Sequence, residues 1–165
     1  MSAIFGNKTT GYNKKMDTTT HSLEAFQLYA TQSARGLVPH ARFARIITLS
    51  GDLGAGKTTF TQAFARELGV KEIVTSPTFI VYKVYDLPEH VAFERLVHVD
   101  AYRLESAEEL RTHGFDALLQ DIENIVIIEW PEKVPGLLKG IPHQALTISV
   151  VGENDRTITL HEVSD

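Results

Sequence analysis

Cysteine is absent from this sequence. Its absence excludes disulfides, thiolate zinc sites and a cysteine nucleophile together. No apolar run approaches the ~18 residues that a membrane-spanning helix needs. The first residues also lack the apolar core of a secretory leader, so the cytoplasm is the expected compartment. Asn7-Lys8-Thr9 then reads as a chance match to the glycosylation pattern. Basic clusters are missing too. Lys14-Lys15 is the only adjacent basic pair, and 21 acidic against 16 basic side chains leave a formal charge of −5. A chain that grips nucleic acid unaided usually carries a basic patch, because phosphate contacts dominate the affinity. Any link to nucleic acid is therefore expected to run through a partner.

What remains is ordinary for a globular protein: 43% hydrophobic and 22% charged residues in a chain of 165. That length fits one domain with a sizeable core. Residues 1–20, rich in Thr, Asn and Lys, read as a mobile lead-in, and residues 21–165 as a single domain. From Ser22 the spacing of Leu23, Phe26, Ala30 and Leu37 predicts a helix stopped by Gly36. Arg45 to Ser50 predicts a β-branched strand, and Thr58 to Leu68 a helix ending at Gly69. Further strands are expected over 80–85, 95–100 and 124–130. The first two are joined by a hairpin-like return, and the third has four consecutive apolar residues, as a strand buried on both faces would. Ser106 and Glu109 form a capping box for a short helix closed by Gly114. Strands 145–151 and 156–161 flank a turn at 152–155.

Between the strand at 45–50 and the helix that follows lies GDLGAGKTT, Gly51 to Thr59, which fits G-x-x-x-x-G-K-[ST]. Strand, glycine-rich turn and helix are the context this phosphate-binding loop requires. The expected fold is a P-loop NTPase-like, three-layer α/β domain on a mixed, largely parallel sheet with a C-terminal antiparallel hairpin. Backbone N–H groups over Leu53, Gly54, Ala55 and Gly56 would cradle phosphates, helped by the positive end of the helix dipole. Lys57 would reach the β- and γ-phosphates, Thr58 would offer its hydroxyl to Mg²⁺, and Thr59 would touch the α-phosphate.

Such enzymes also place an acid at the end of a buried strand to hold Mg²⁺ or its waters. Asp100 and Glu129 both end apolar strands, where α/β sheets bind ligands. One of them would organise the metal and the other would orient or deprotonate the attacking water. Ser76-Pro-Thr78 reads either as a switch in which Thr78 senses the γ-phosphate or Mg²⁺, or as a plain proline turn. Trp130, the only tryptophan, stands either beside the site or in the core. His98, two residues before Asp100, reads as a structural histidine, since no partner stands at metal-ligand spacing.

Guanine-reading Asn-Lys-x-Asp after the loop, Asp-x-x-Gly and Leu-Ser-Gly-Gly-Gln are all absent. GTPases and transporter-type ATPases are thus disfavoured, while a small-molecule kinase and a nucleotide-gated binding module stay open. The ordered series GDLGAGKTTF, SPTF, HVDAYRL and IIEWPEK resembles the TsaE (YjeE) family over roughly residues 20–160. The resemblance implies an ATPase that uses ATP with Mg²⁺ and acts with the proteins TsaD and TsaB. Their joint product would be threonylcarbamoyladenosine next to the tRNA anticodon, with tRNA held only through the partners. It also places Lys57 and Thr58 on the phosphate and magnesium residues, Asp100 and Glu129 on the acidic pair, and Trp130 beside the site. Ala101 departs from the family pattern, which often has a larger apolar residue there.

Overall fold

Three strands are buried on both faces, of which the sequence marked the third. These are β2 (Arg45–Ser50), β4 (Arg95–Asp100) and β5 (Asn124–Glu129). Alternate side chains point to opposite faces of a strand, so both faces must be covered. Ile47, Leu49, Ile125 and Ile127 face one core, and Ile46, Val126, Ile128, Val97 and Val99 face the other. Helices α1 (Leu23–Arg35) and α2 (Lys57–Glu67) cover the first face; α3 (Ala107–Thr112) and α4 (Phe115–Gln120) cover the second. The result is a three-layer α/β fold. The computed structural model describes residues 15–77 and 80–164.

The remaining strands are β1 (Lys15–Thr20), β3 (Tyr82–Asp86), β6 (His143–Val150) and β7 (Arg156–Val163). The seven-stranded sheet runs β1-β7-β6-β2-β5-β4-β3. Its middle, β6-β2-β5-β4, is parallel, whereas β3, β7 and β1 are antiparallel to their neighbours. This matches the expected mixed, largely parallel sheet with a C-terminal hairpin. The register puts Leu49 opposite Glu129 and Asp100 opposite Glu129. The C-terminal tips of β2, β5 and β4 therefore meet at one edge of the sheet.

Local signals place the helices. The Ser22 hydroxyl accepts the Ala25 N–H at 3.1 Å, opening α1, and Gly36 caps its end. Phe26 then meets Phe60 of α2 edge-on, with ring centroids 6.4 Å apart. The capping box of Ser106 and Glu109 opens α3 as expected. Gly114 does more than close that helix. At φ +77° it is also the N-cap of α4, a helix the sequence reading did not anticipate.

One boundary needs correcting. Residues 15–20 do not belong to a mobile lead-in: they form β1 and pair with β7 from Lys15↔His161 to Thr20↔Arg156. The segment hides from hydrophobic patterning because all its residues except Thr20 are exposed. Backbone pairing and β-branched threonines hold it instead. The rest of the expected lead-in, residues 1–14, lies outside the described residues. Among the described residues no helix is long and apolar enough to cross a membrane.

Candidate functional site

The loop between β2 and α2 is shaped by glycines that hold backbone angles other residues avoid. Gly51, Gly54 and Gly56 have φ of +146°, +80° and +113°. Gly56 is the N-cap of α2 and carries no side-chain cap, so the first-turn N–H groups are left for something else. A helix start with free N–H groups and a positive dipole end suits an anion. Leu53 projects from the loop at 81% exposure, whereas Ala55 is buried.

Lys57 opens the helix and is itself buried, at 5% exposure. Its Nζ donates to the Gly51 carbonyl at 2.6 Å and the Asp52 carbonyl at 2.9 Å. It also lies 3.7 Å from the centroid of the Trp130 ring. Burial holds its pKa below the ordinary lysine range, and the nearby carboxylates of Glu129, Glu132, Asp100 and Asp52 oppose that shift without cancelling it.

Behind the loop stands Glu129, 1% exposed at the tip of β5. Its Oε2 accepts the Thr58 hydroxyl at 3.1 Å. Its Oε1 accepts from Thr61 Oγ1 at 3.3 Å and lies 2.9 Å from His98 Nε2. Strand parity explains the meeting. His98 and Asp100 on β4 point to the α2 face along with Leu96, and Glu129 does so along with Ile127. Asp100 is partly open: its Oδ2 accepts the Ser76 hydroxyl and its Oδ1 accepts the Tyr102 N–H at 3.1 Å.

Trp130 follows Glu129 and is the only non-glycine residue with positive φ, +59°, among the described residues. Pro131 disfavours the right-handed helical region for the residue before it, and the Trp130 N–H is pinned to the Leu49 carbonyl at 3.0 Å. The turn presents the indole to Lys57 on one side and to Tyr102, with ring centroids 5.0 Å apart, on another.

The structure thus brings Lys57, Thr58, Thr59, Asp100 and Trp130 to one cleft of about 420 Å³, with Ser76 and Arg103 on its wall. Glu129 sits beneath this cleft rather than lining it. Thr78 lies outside the described residues. A second hollow of about 130 Å³ opens on the other side of the same loop, between Gly54, Gly56, Thr59, Phe26, Asn154 and Arg156. Sequence reasoning missed this side. Arg156 Nε donates to the Ala55 carbonyl at 3.1 Å and ties the β6–β7 hairpin to the loop. Only the tertiary pairing of β7 makes that contact visible. Sequence reasoning also did not foresee the contacts of His98 with Glu129 or of Tyr102 with Trp130.

Of the three residues expected to hold Mg²⁺, Thr58, Asp100 and Glu129, Thr58 and Asp100 line the cleft and Glu129 is hydrogen-bonded to Thr58 from beneath it. Thr58 gives its proton to Glu129, so its oxygen lone pairs are free to face a cation. One hydroxyl and one carboxylate suit a cation that shares its shell with phosphate oxygens and waters. A cluster of three or more His, Cys, Asp or Glu able to cage a metal is absent among the described residues.

A lysine- and threonine-bearing glycine loop between a central parallel strand and a helix, flanked by acids on the next two strand tips, defines a P-loop NTPase-like α/β domain. The chain belongs to the TsaE family, whose model, described as "Threonylcarbamoyl adenosine biosynthesis protein TsaE", matches residues 20–158. The family is thus one of tRNA threonylcarbamoyladenosine biosynthesis. A protein of Bacillus subtilis (strain 168) named "tRNA threonylcarbamoyladenosine biosynthesis protein TsaE" is 37% identical over 133 residues, 76% of this chain and 76% of its own. A protein of the same name from Rickettsia prowazekii (strain Madrid E) is 32% identical over 145 residues, 87% of this chain and 93% of its own. Among solved structures, the crystal structure of Bacillus subtilis YdiB is similar with a TM-score of 0.69 and 29% identity, over 94% of this chain and 90% of that one.

Proposed function

We propose that this chain binds and hydrolyses ATP with Mg²⁺, and that the cycle acts on TsaD and TsaB during formation of threonylcarbamoyladenosine beside the tRNA anticodon. The observation that carries the reading is the bonded pair of Thr58 and Glu129 under a cleft that also holds Lys57 and Asp100. Phosphates would lie along the loop from Thr59 to Lys57. The adenosine end would enter the hollow beside Phe26 and Arg156, because the acids occupy the opposite side. ATP is favoured over GTP since the sequence carries no guanine-reading element.

Each residue then has a separate task. Lys57 exchanges the Gly51 and Asp52 carbonyls for phosphate oxygens, which favour its charged form. Thr58 and Glu129 would hold the metal, which would supply positive charge against that of the phosphates. Asp100, oriented by Ser76 and the Tyr102 N–H, takes the attacking water. Arg103 is the single arginine on the cleft wall and is exposed. A docked partner would press it toward the reacting phosphate or add a cation of its own, a contribution worth about 10³ to 10⁵ in rate. The net charge of −5 fits a protein that leaves tRNA to its partners.

The test is steady-state phosphate release at saturating ATP, alone and with TsaB–TsaD, with Lys57→Ala as the blank. Slow release alone and a large rise with the partners is the expected result. Fast release by the lone chain, unchanged by TsaB–TsaD, would overturn the partner-driven cycle in favour of a small-molecule kinase.

A further inference from the structure

One buried polar side chain has no task in that reading. His98, in the middle of β4, is fully buried, and its partner across the parallel pair is Ile127. A histidine that only filled space there would be replaceable by leucine with no polar atom to satisfy. His98 instead has its Nε2 2.9 Å from Glu129 Oε1. Its Nδ1 is buried without a hydrogen-bond partner among the described residues.

A carboxylate oxygen only accepts hydrogen bonds, so the contact places a hydrogen on Nε2 and makes His98 the donor to Glu129. The other donor on Oε1 is divided. The Thr61 hydroxyl lies 3.3 Å from Glu129 but 3.1 Å from the Lys57 carbonyl, and its one proton serves one acceptor at a time. His98 is therefore the fixed constraint on Oε1, and fixing Oε1 aims Oε2 at Thr58.

We propose that His98 is a positioning residue: its Nε2–H locks the Glu129 carboxylate against Thr58 and so sets how strongly ATP binding depends on Mg²⁺. The proposal rests on the reading that Thr58 and Glu129 hold the metal. Groups that orient a ligating side chain from behind typically change metal affinity 10- to 100-fold when removed.

The experiment follows ATP binding by Trp130 fluorescence, in excess Mg²⁺ and in EDTA. The readout is the ratio of the two dissociation constants, so no turnover is needed. Three variants of the full chain are compared, each also checked by its thermal transition. His98→Leu fills the volume without a donor. His98→Asn and His98→Gln bring the same amide, but only glutamine extends it to where Nε2 stands. In His98→Leu and His98→Asn the ratio should shrink about 10- to 100-fold, with the EDTA constant unchanged. In His98→Gln the ratio should return to within a few-fold of the parent. If His98→Leu fails to fold, the asparagine–glutamine pair still decides. Equal ratios for those two variants would overturn the proposal, since a packing role does not distinguish the reach of an amide. Glu129→Gln separates the two levels. If it abolishes the ratio while His98→Asn leaves it intact, the metal reading stands and His98 is only packing. If neither moves the ratio, both ideas fail.

Discussion

Lys57 is a buried cation held by carbonyl oxygens and an aromatic face, and its pKa is depressed. The folded protein therefore gives up the Lys57 proton more readily than the unfolded chain does. Between its lowered folded pKa and the ordinary lysine value, the unfolded chain binds more protons, so stability rises as pH climbs through that window. Without nucleotide, urea midpoints of the parent should rise relative to those of Lys57→Met as the pH climbs toward the ordinary lysine value of about 10.4. Parallel curves for the two proteins would show that burial does not tax the charge. Spacing alone located Lys57, Thr58, Asp100 and Glu129, because each follows directly from a loop pattern or a strand end. The contacts of Lys57 with Trp130 and of Glu129 with His98 were illegible. They depend on strand register and on a turn in which Trp130 adopts positive φ, and neither is written in local residue order.

The loop works as an element because its glycines differ in what they tolerate. A Cβ at Gly51 would stand 2.3 Å from the Ile148 carbonyl oxygen of β6, whereas one at Gly54 would meet nothing within 4 Å. Both have positive φ, so both substitutions carry the strain of that conformation, about 1–2 kcal/mol. Gly51→Ala adds an overpacking cost of about 1–3 kcal/mol. Urea unfolding should therefore place Gly51→Ala clearly below Gly54→Ala. A reversed order would mean that β6 yields where the structure has it close against the loop. Elements with hydrophobic periodicity or caps were legible: α1 from Ser22 to Gly36, α2 ahead of Gly69, and the capping box of α3. Helix α4 was not, since its first residue follows a glycine that also reads as a stop. Strand β1 was not, since an exposed edge strand needs no apolar face.

At the scale of the whole molecule, β2 divides the sheet into two halves with different duties. One half, β5-β4-β3, carries Glu129 and Asp100. The other, β6-β7-β1, holds the loop from behind through Arg156 and Ala55. That second half ends in β1, whose Thr20 hydroxyl donates to the Arg156 carbonyl at 3.3 Å. Six residue pairs join β1 to β7, and a ladder of that size contributes a few kcal/mol, at about 0.5–1.5 kcal/mol net per hydrogen bond. Relative to a chain lacking residues 1–14, one lacking residues 1–20 should melt about 5–10 °C lower. It should also bind ATP more weakly, because Arg156 loses a neighbour. Identical melting curves would show that β1 contributes nothing to the sheet. The same pairing has a mechanical consequence. Lys15 lies opposite His161 near one end of the ladder, and Thr20 lies opposite Arg156 at the other. Antiparallel hydrogen bonds run across the strands, so tension drawing Lys15 and Val163 apart loads them one at a time and peels the pair like a zip. The last rung is the one beside Arg156, so a tug on the two outer strands is spent along the whole seam before it reaches the loop.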